Sequence, residues 1–236
     1  MSVFARLVEH LADLLTPLFH ASAAAAAIVL FTALVRLLVH PLSRAAARGR
    51  RAQAALQPRI AELREKHGKN PQRLQQALLE LHTEEKVSPL AGCLPSLLQL
   101  PAFFLLYHLF SSTTIGGESN GLLGHRLFAA PLGGRWADAL ADGGTAGPAG
   151  LVYLGLFVLT AAVATANYRR ARRTATGRPA PLAAGDQAPG LAAITRVTPF
   201  LSFFTLVTVA VVPLAAALYI VTSTAWGAAE QALLYR

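Results

Sequence analysis

Apolar and polar positions alternate in blocks along the chain, and the blocks have two different periods. Over residues 2–19, Val3, Phe4, Leu7, Val8, Leu11, Leu14, Leu15 and Leu18 recur at helical spacing, with Arg6, Glu9, His10 and Asp13 between them. That pattern predicts an amphipathic helix within 1–20. It can lie in a headgroup layer or pack against the rest of its own protein. The later apolar blocks have no polar face. They occupy 21–41, 90–111 and 150–168, and a longer one runs from Ile194 to Leu234. About 20 apolar residues cross a bilayer, so the last block is too long for one span. Pro213 divides it into 194–212 and 213–234 with a tight turn between. The pattern predicts five spans.

The blocks between the spans differ in character. Segment 42–89 is charged and helix-forming. It reads as a helical hairpin, with one arm from Gln53 to Lys66 bent at Pro58 and the other from Pro71 to Lys86. Gly68 suits a helix C-cap, Asn70 an N-cap and Pro71 the first helical position. Leu74, Leu78 and Leu81 form only a thin apolar stripe, so the hairpin is expected to pack weakly and move as a unit. Segment 112–149 is rich in Gly and Pro, with a short amphipathic piece around Leu132 to Leu140. Segment 169–193 is a basic loop.

Composition agrees with lipid as the solvent. Hydrophobic residues make up 54% of the 236 and charged ones 14%, against about 25% charged in soluble domains. The net charge of +9 would suit a nucleic-acid binder, but the basic residues flank the apolar blocks, where they set membrane orientation. Ten Lys and Arg fall within 42–89 and five within 169–190, whereas 111–149 holds only Arg126 and Arg135. The positive-inside rule therefore predicts the N-terminus and 112–149 outside. It puts 42–89, 169–193 and the 235–236 tail in the cytoplasm. Residues 2–20 do not read as a secretory signal, because Glu9, His10 and Asp13 break the apolar run. A single cysteine, Cys93, excludes an intrachain disulfide and a multi-thiolate metal site.

Candidate chemistry is sparse. No HExxH pair, glycine-rich phosphate loop or nucleophile–base–orienter set is present, and the reading is of a protein that is not an enzyme and needs no cofactor. Arg36 stands out as an ionised residue inside the first span. No acidic partner for it is expected in the apolar blocks. It either snorkels to the headgroups one turn away or faces a wet cavity between helices. Thr32 lies one turn before it on the same face. Gln99 sits in the second span between Pro95 and Pro101, and a buried amide needs several partners. Ser and Thr elsewhere in the spans are expected mostly to bond their own helix or a neighbour.

Several stretches resemble the YidC/Oxa/Alb-type membrane protein insertases. Phe31 to Leu42, with Arg36 and His40-Pro41, is similar to the family's first core span and its groove arginine. The hairpin stretches Leu56-Gln57-Pro58, Leu63-Arg64-Glu65-Lys66-His67 and Asn70-Pro71 resemble its cytoplasmic hairpin. Ser88-Pro89-Leu90-Ala91-Gly92-Cys93-Leu94-Pro95 resembles a hallmark that begins Asn-Pro in the family. In the last span, Pro213, Leu218-Tyr219, Ser223 and Gln231 match. Leu214-Ala215 and Ile220 depart from the family's usual residues there.

The resemblance implies an all-α polytopic membrane protein with five transmembrane helices, an N-terminal amphipathic interfacial helix and a cytoplasmic helical hairpin, in the form without a large outer domain. It implies a non-enzymatic insertase and chaperone of the cell membrane. The substrate groove would use Arg36, Thr32, Gln99, Tyr219 and Ser223. Recruitment would use hairpin residues Arg59, Arg64, Lys66 and Arg73. Implied partners are nascent membrane proteins, the lipid bilayer, the ribosome and signal recognition pathway, and the SecYEG translocon, with a monomer as the working unit. From the sequence, a channel or small-solute transporter and a chaperone for already inserted proteins stand as rival classes.

Overall fold

The computed structural model describes residues 2–68, 70–86, 94–115, 117–176 and 201–234. The expectations for the hallmark at Ser88 to Cys93 and for the basic loop beyond Thr176 lie outside them. The architecture is helical: α1 (Ser2–Phe19), α2 (Ala23–His67), α3 (Pro71–Glu84), α4 (Leu94–Ser111), α5 (Trp136–Gly143), α6 (Pro148–Thr176), α7 (Leu201–Val211) and α8 (Leu214–Leu234). Among the described residues, two helical stretches, Arg6–His67 and Pro148–Arg173, are long and apolar enough to cross a membrane, and Ser202–Val211 is a shorter apolar helix.

α1 packs along α2, burying Val8 and Ala12 fully and Leu11 and Leu15 in part. Leu7, Leu14 and Leu18 of the same helix stay exposed. Its apolar surface is thus divided between the protein and the surroundings.

α2 joins the first apolar block to the first arm of the hairpin: one helix of 45 residues runs through Pro41 and Pro58. Each proline removes one intrahelical donor, but the uninterrupted run of helix-forming residues on either side carries the helix past the gap. The first apolar block and the first arm of the hairpin are therefore one continuous helix.

At the far end of that helix the turn follows its sequence signals. Gly68 is the C-cap of α2. The Asn70 side chain accepts from the Arg73 amide at 3.1 Å, and Pro71 opens α3. The hairpin is held by a small cluster, Leu56, Ile60 and Leu81, with Leu63 and Leu78 against it. A fully buried aliphatic side chain contributes about 1.5–3 kcal/mol, while ordering costs roughly 1–2 kcal/mol per residue. Three such side chains hold the arms together only marginally.

The main core lies where the first turns of α2, α6 and α8 meet the last turns of α4. Small residues dominate two of the surfaces: Ala24, Ala25 and Ala27 of α2, and Ala215, Ala216 and Ala217 of α8, are all buried. Between helices in lipid there is little hydrophobic driving force. Close backbone approach through small residues supplies the contact instead.

Segment 112–135, rich in Gly, holds two short antiparallel hairpins. They pair Thr114 with Ser119 and Ile115 with Glu118, then Arg126 with Pro131 and Leu127 with Ala130. The segment packs onto the end of the bundle and satisfies its backbone. Asn120 donates to the carbonyls of Leu109 and Ser112, which end α4, and accepts from the Leu122 amide. The first amides of α8 are capped from the same segment: Leu214 donates to Gly134 O and Ala215 to Leu132 O, both at 2.9 Å. The Tyr153 hydroxyl of α6 donates to Gly134 O at 2.6 Å. Such helix-terminal groups have no intrahelical partner, so the cap seals this end of the bundle. The amphipathic piece expected around Leu132 to Leu140 is the short helix α5, placed slightly later. As predicted, the chain breaks at Pro213 between α7 and α8.

Candidate functional site: polar contacts between α2 and α8

Thr32, Arg36 and His40 are spaced by four residues on α2 and share one face. α2 packs against α8 along this stretch. On the opposite side of α2, Leu34, Leu37 and Leu38 are exposed, Leu38 by 80%, which suits contact with lipid. The Arg36 guanidinium crosses to α8, where the Ser223 hydroxyl accepts from Nε at 3.0 Å and also from NH2. A guanidinium has five N–H donors, and Ser223 engages two. Ser223 is its one hydrogen-bond partner among the described residues.

One turn further along α2, His40 Nδ1 lies 2.6 Å from Glu230 Oε1. Glu230 is 8% exposed. This corrects the expectation that the apolar blocks hold no acid: Glu230 lies inside the last one and α8 turns it inward. Among the described residues, Glu230 and Tyr219 lie near enough to Arg36 for electrostatic interaction with it. The first and last long helices are therefore tied at two levels by polar side chains.

The other expected groove residues divide. Tyr219 is buried, and its ring packs against Phe103 and Phe110 of α4, each with a centroid separation of 5.9 Å. Thr32 is 1% exposed and donates to its own helix at Ile28 O, 2.7 Å away, so its hydroxyl is already used. Gln99 lies in α4, with its side chain outside the described residues. The hairpin residues stand apart from these contacts. Arg59 pairs with Glu85, while Arg64, Lys66 and Arg73 are exposed.

Burial along α8 is graded. Every residue from Val212 to Val221 is buried, whereas from Thr222 onward only Ser223 and Glu230 are fully so. Packing along α8 is tightest at the end capped by 112–135 and loosens toward the hairpin end. Arg36 and Ser223 sit where the change occurs.

Sequence reasoning missed His40 and Glu230. The signal was present in the four-residue step from Arg36 to His40 and the seven-residue step from Ser223 to Glu230, both of which keep a helix face.

The family described as 60Kd inner membrane protein matches residues 15–236. The chain belongs to this family of membrane proteins. Among its relatives, a membrane protein insertase YidC from Clostridium perfringens (strain 13 / Type A) is 41% identical over 87 residues, 37% of this chain and 37% of the relative. One of the same name from Chlorobium limicola is 42% identical over 86 residues, 36% of this chain and 15% of the relative. Another from Shewanella halifaxensis is 47% identical over 81 residues, 34% of this chain and 15% of the relative. The aligned part thus spans much less than two thirds of each relative's length.

Proposed function

We propose that this protein is a membrane protein insertase and chaperone that receives nascent membrane proteins in the cleft between α2 and α8. The observation that carries the reading is Arg36. It is an ionised residue within an apolar helix, held by one hydroxyl, with donors to spare, and it sits where packing along α8 loosens toward the hairpin end. An unpaired guanidinium in hydrocarbon is costly, so the cleft must admit water or a polar ligand. A short hydrophilic segment of a substrate, especially an acidic one, meets both needs.

The proposed arrangement has five spans, with the N-terminus and 112–149 outside and the hairpin and C-terminus in the cytoplasm. Ser223 orients Arg36, Tyr219 walls the closed end, and Thr32 and Gln99 line the cleft. The hydrophilic segment enters from the cytoplasm and crosses a shortened apolar path. The substrate's apolar segment then moves into lipid along α6 and α8. Its own transfer, about 0.8 kcal/mol per CH₂, drives the step. The membrane potential adds about 2.3 kcal/mol per acidic charge per 100 mV. No nucleotide is required.

On this reading Arg59, Arg64, Lys66 and Arg73 present a basic surface for the ribosome or the signal recognition pathway. The protein works as a monomer, alone or beside a SecYEG translocon.

The test is reconstitution in vesicles with a single-span substrate, combined with a photo-crosslinker at Thr224 or Trp226. An insertase promotes insertion and crosslinks to the nascent chain without opening a conductance. Ion or solute flux without insertion would assign the protein to the channels instead.

A further inference from the structure

Glu230 is the feature of the cleft that insertion by itself does not demand. A carboxylate in an apolar helix is costly. A Gln of the same shape would keep a hydrogen-bond acceptor for His40. What the carboxylate alone provides is negative charge within electrostatic reach of Arg36. With His40 neutral, Arg36 and Glu230 sum to zero. With His40 protonated, these three groups carry one net positive charge. Arg44 and Arg48, further along α2, are exposed at the hairpin end, where water and salt screen them. Arg170 of α6 donates to Ala228 O on α8, two residues from Glu230, and adds a cation at that level. The charge that a substrate segment meets inside the cleft is therefore set chiefly by Arg36, Glu230, His40 and Arg170.

We infer that Glu230 is a specificity-determining residue of the cleft: it counterbalances Arg36, so that translocated segments bearing neutral or basic residues are accepted as well as acidic ones. The geometry behind this is the pair of parallel ties between α2 and α8, Arg36 to Ser223 and His40 to Glu230. A segment that reaches Arg36 from the hairpin end passes the carboxylate first. Glu230 weakens the attraction felt by an entering acid and relieves the repulsion felt by an entering base. The inference rests on the insertase reading.

The experiment uses the full chain in vesicles at equal protein level, with three substrates that differ only in whether the translocated segment is acidic, neutral or basic. The readout is the ratio of acidic to basic insertion. Glu230→Gln should raise it about fivefold, the order of effect expected from removing one unit charge in a partly wet site. Glu230→Asp should keep the wild-type ratio. His40→Lys fixes a positive charge beside Glu230 and should raise the ratio as Glu230→Gln does, so the test survives if one variant fails to accumulate. A merely structural role would lower all three substrates together and leave the ratio unchanged. An unchanged ratio in Glu230→Gln and His40→Lys, with a wild type that inserts, overturns this inference and leaves the insertase reading standing. A wild type that inserts none of the substrates overturns both.

Discussion

The contact between Arg36 and Ser223 supports the proposed place of the guanidinium in a site rather than at the headgroups. The side chain turns toward α8, and its donors are only partly used. Its positive charge should matter more than its planar shape. Arg36→Lys should retain insertion of acidic-segment substrates within about threefold, and Arg36→Ala should lose about tenfold or more of it. Neutral-segment substrates should be affected less. Equal insertion of an acidic and a neutral substrate by Arg36→Ala, at wild-type rates, would leave the residue without a role in the cleft. Asn120 is a residue of a different kind. It is 8% exposed and satisfies two carbonyls and an amide at the end of α4. Asn120→Ala should cost about 1–3 kcal/mol of stability, read as a lower thermal midpoint in detergent, with the substrate charge preference unchanged.

At the scale of elements, the continuous helix α2 couples two regions of unequal stability. Its first turns lie in the alanine-rich core, while its last turns are held to α3 by three buried side chains. Backbone amides of 53–86 should exchange with solvent much faster in nanodiscs than those of α6. Leu81→Ala, deleting a buried leucine, should remove about 2–5 kcal/mol of packing and separate the arms without loosening the spans. Exchange protection in the hairpin equal to that in α6 would show that the cluster is stronger than its size implies. α8 is anchored differently, through its capped first turn. Tyr153→Phe removes one donor to Gly134 O. It should destabilise the bundle by about 1 kcal/mol, a typical net value for an intramolecular hydrogen bond.

At the scale of the whole molecule, the asymmetry of the bundle has two independent signs. Basic residues crowd 42–89 and 169–190 and are scarce in 111–149. The capping hairpins seal the end that carries 112–135, while burial along α8 falls off toward the other. On the proposed orientation the sealed end faces outward. Single cysteines at Ser119 and at Thr176 should then label from opposite sides of the membrane, Ser119 from outside. Labelling of both from one side would remove the five-span arrangement.

The class of solvent, the helical character of each apolar block, the break at Pro213 and the turn at Gly68 to Pro71 were all determined by the sequence. These depend on hydrophobic period and on the local geometry of proline, glycine and asparagine, which act over a few residues. Arg36 was also legible, because a charge in an apolar run is anomalous wherever the run packs. The tertiary structure decided the rest. Helix propensity summed over the charged stretch outweighs the two missing donors, and so α2 passes Pro41 and Pro58 unbroken. Segment 112–135 is ordered because it supplies partners to helix ends far away in the chain. Ser223 and Glu230 face Arg36 and His40 across about 190 residues of separation. No local rule connects positions that distant. Their meeting follows from small alanines that let α2 and α8 approach closely, and from the cost of leaving a charge unpaired in an apolar interior.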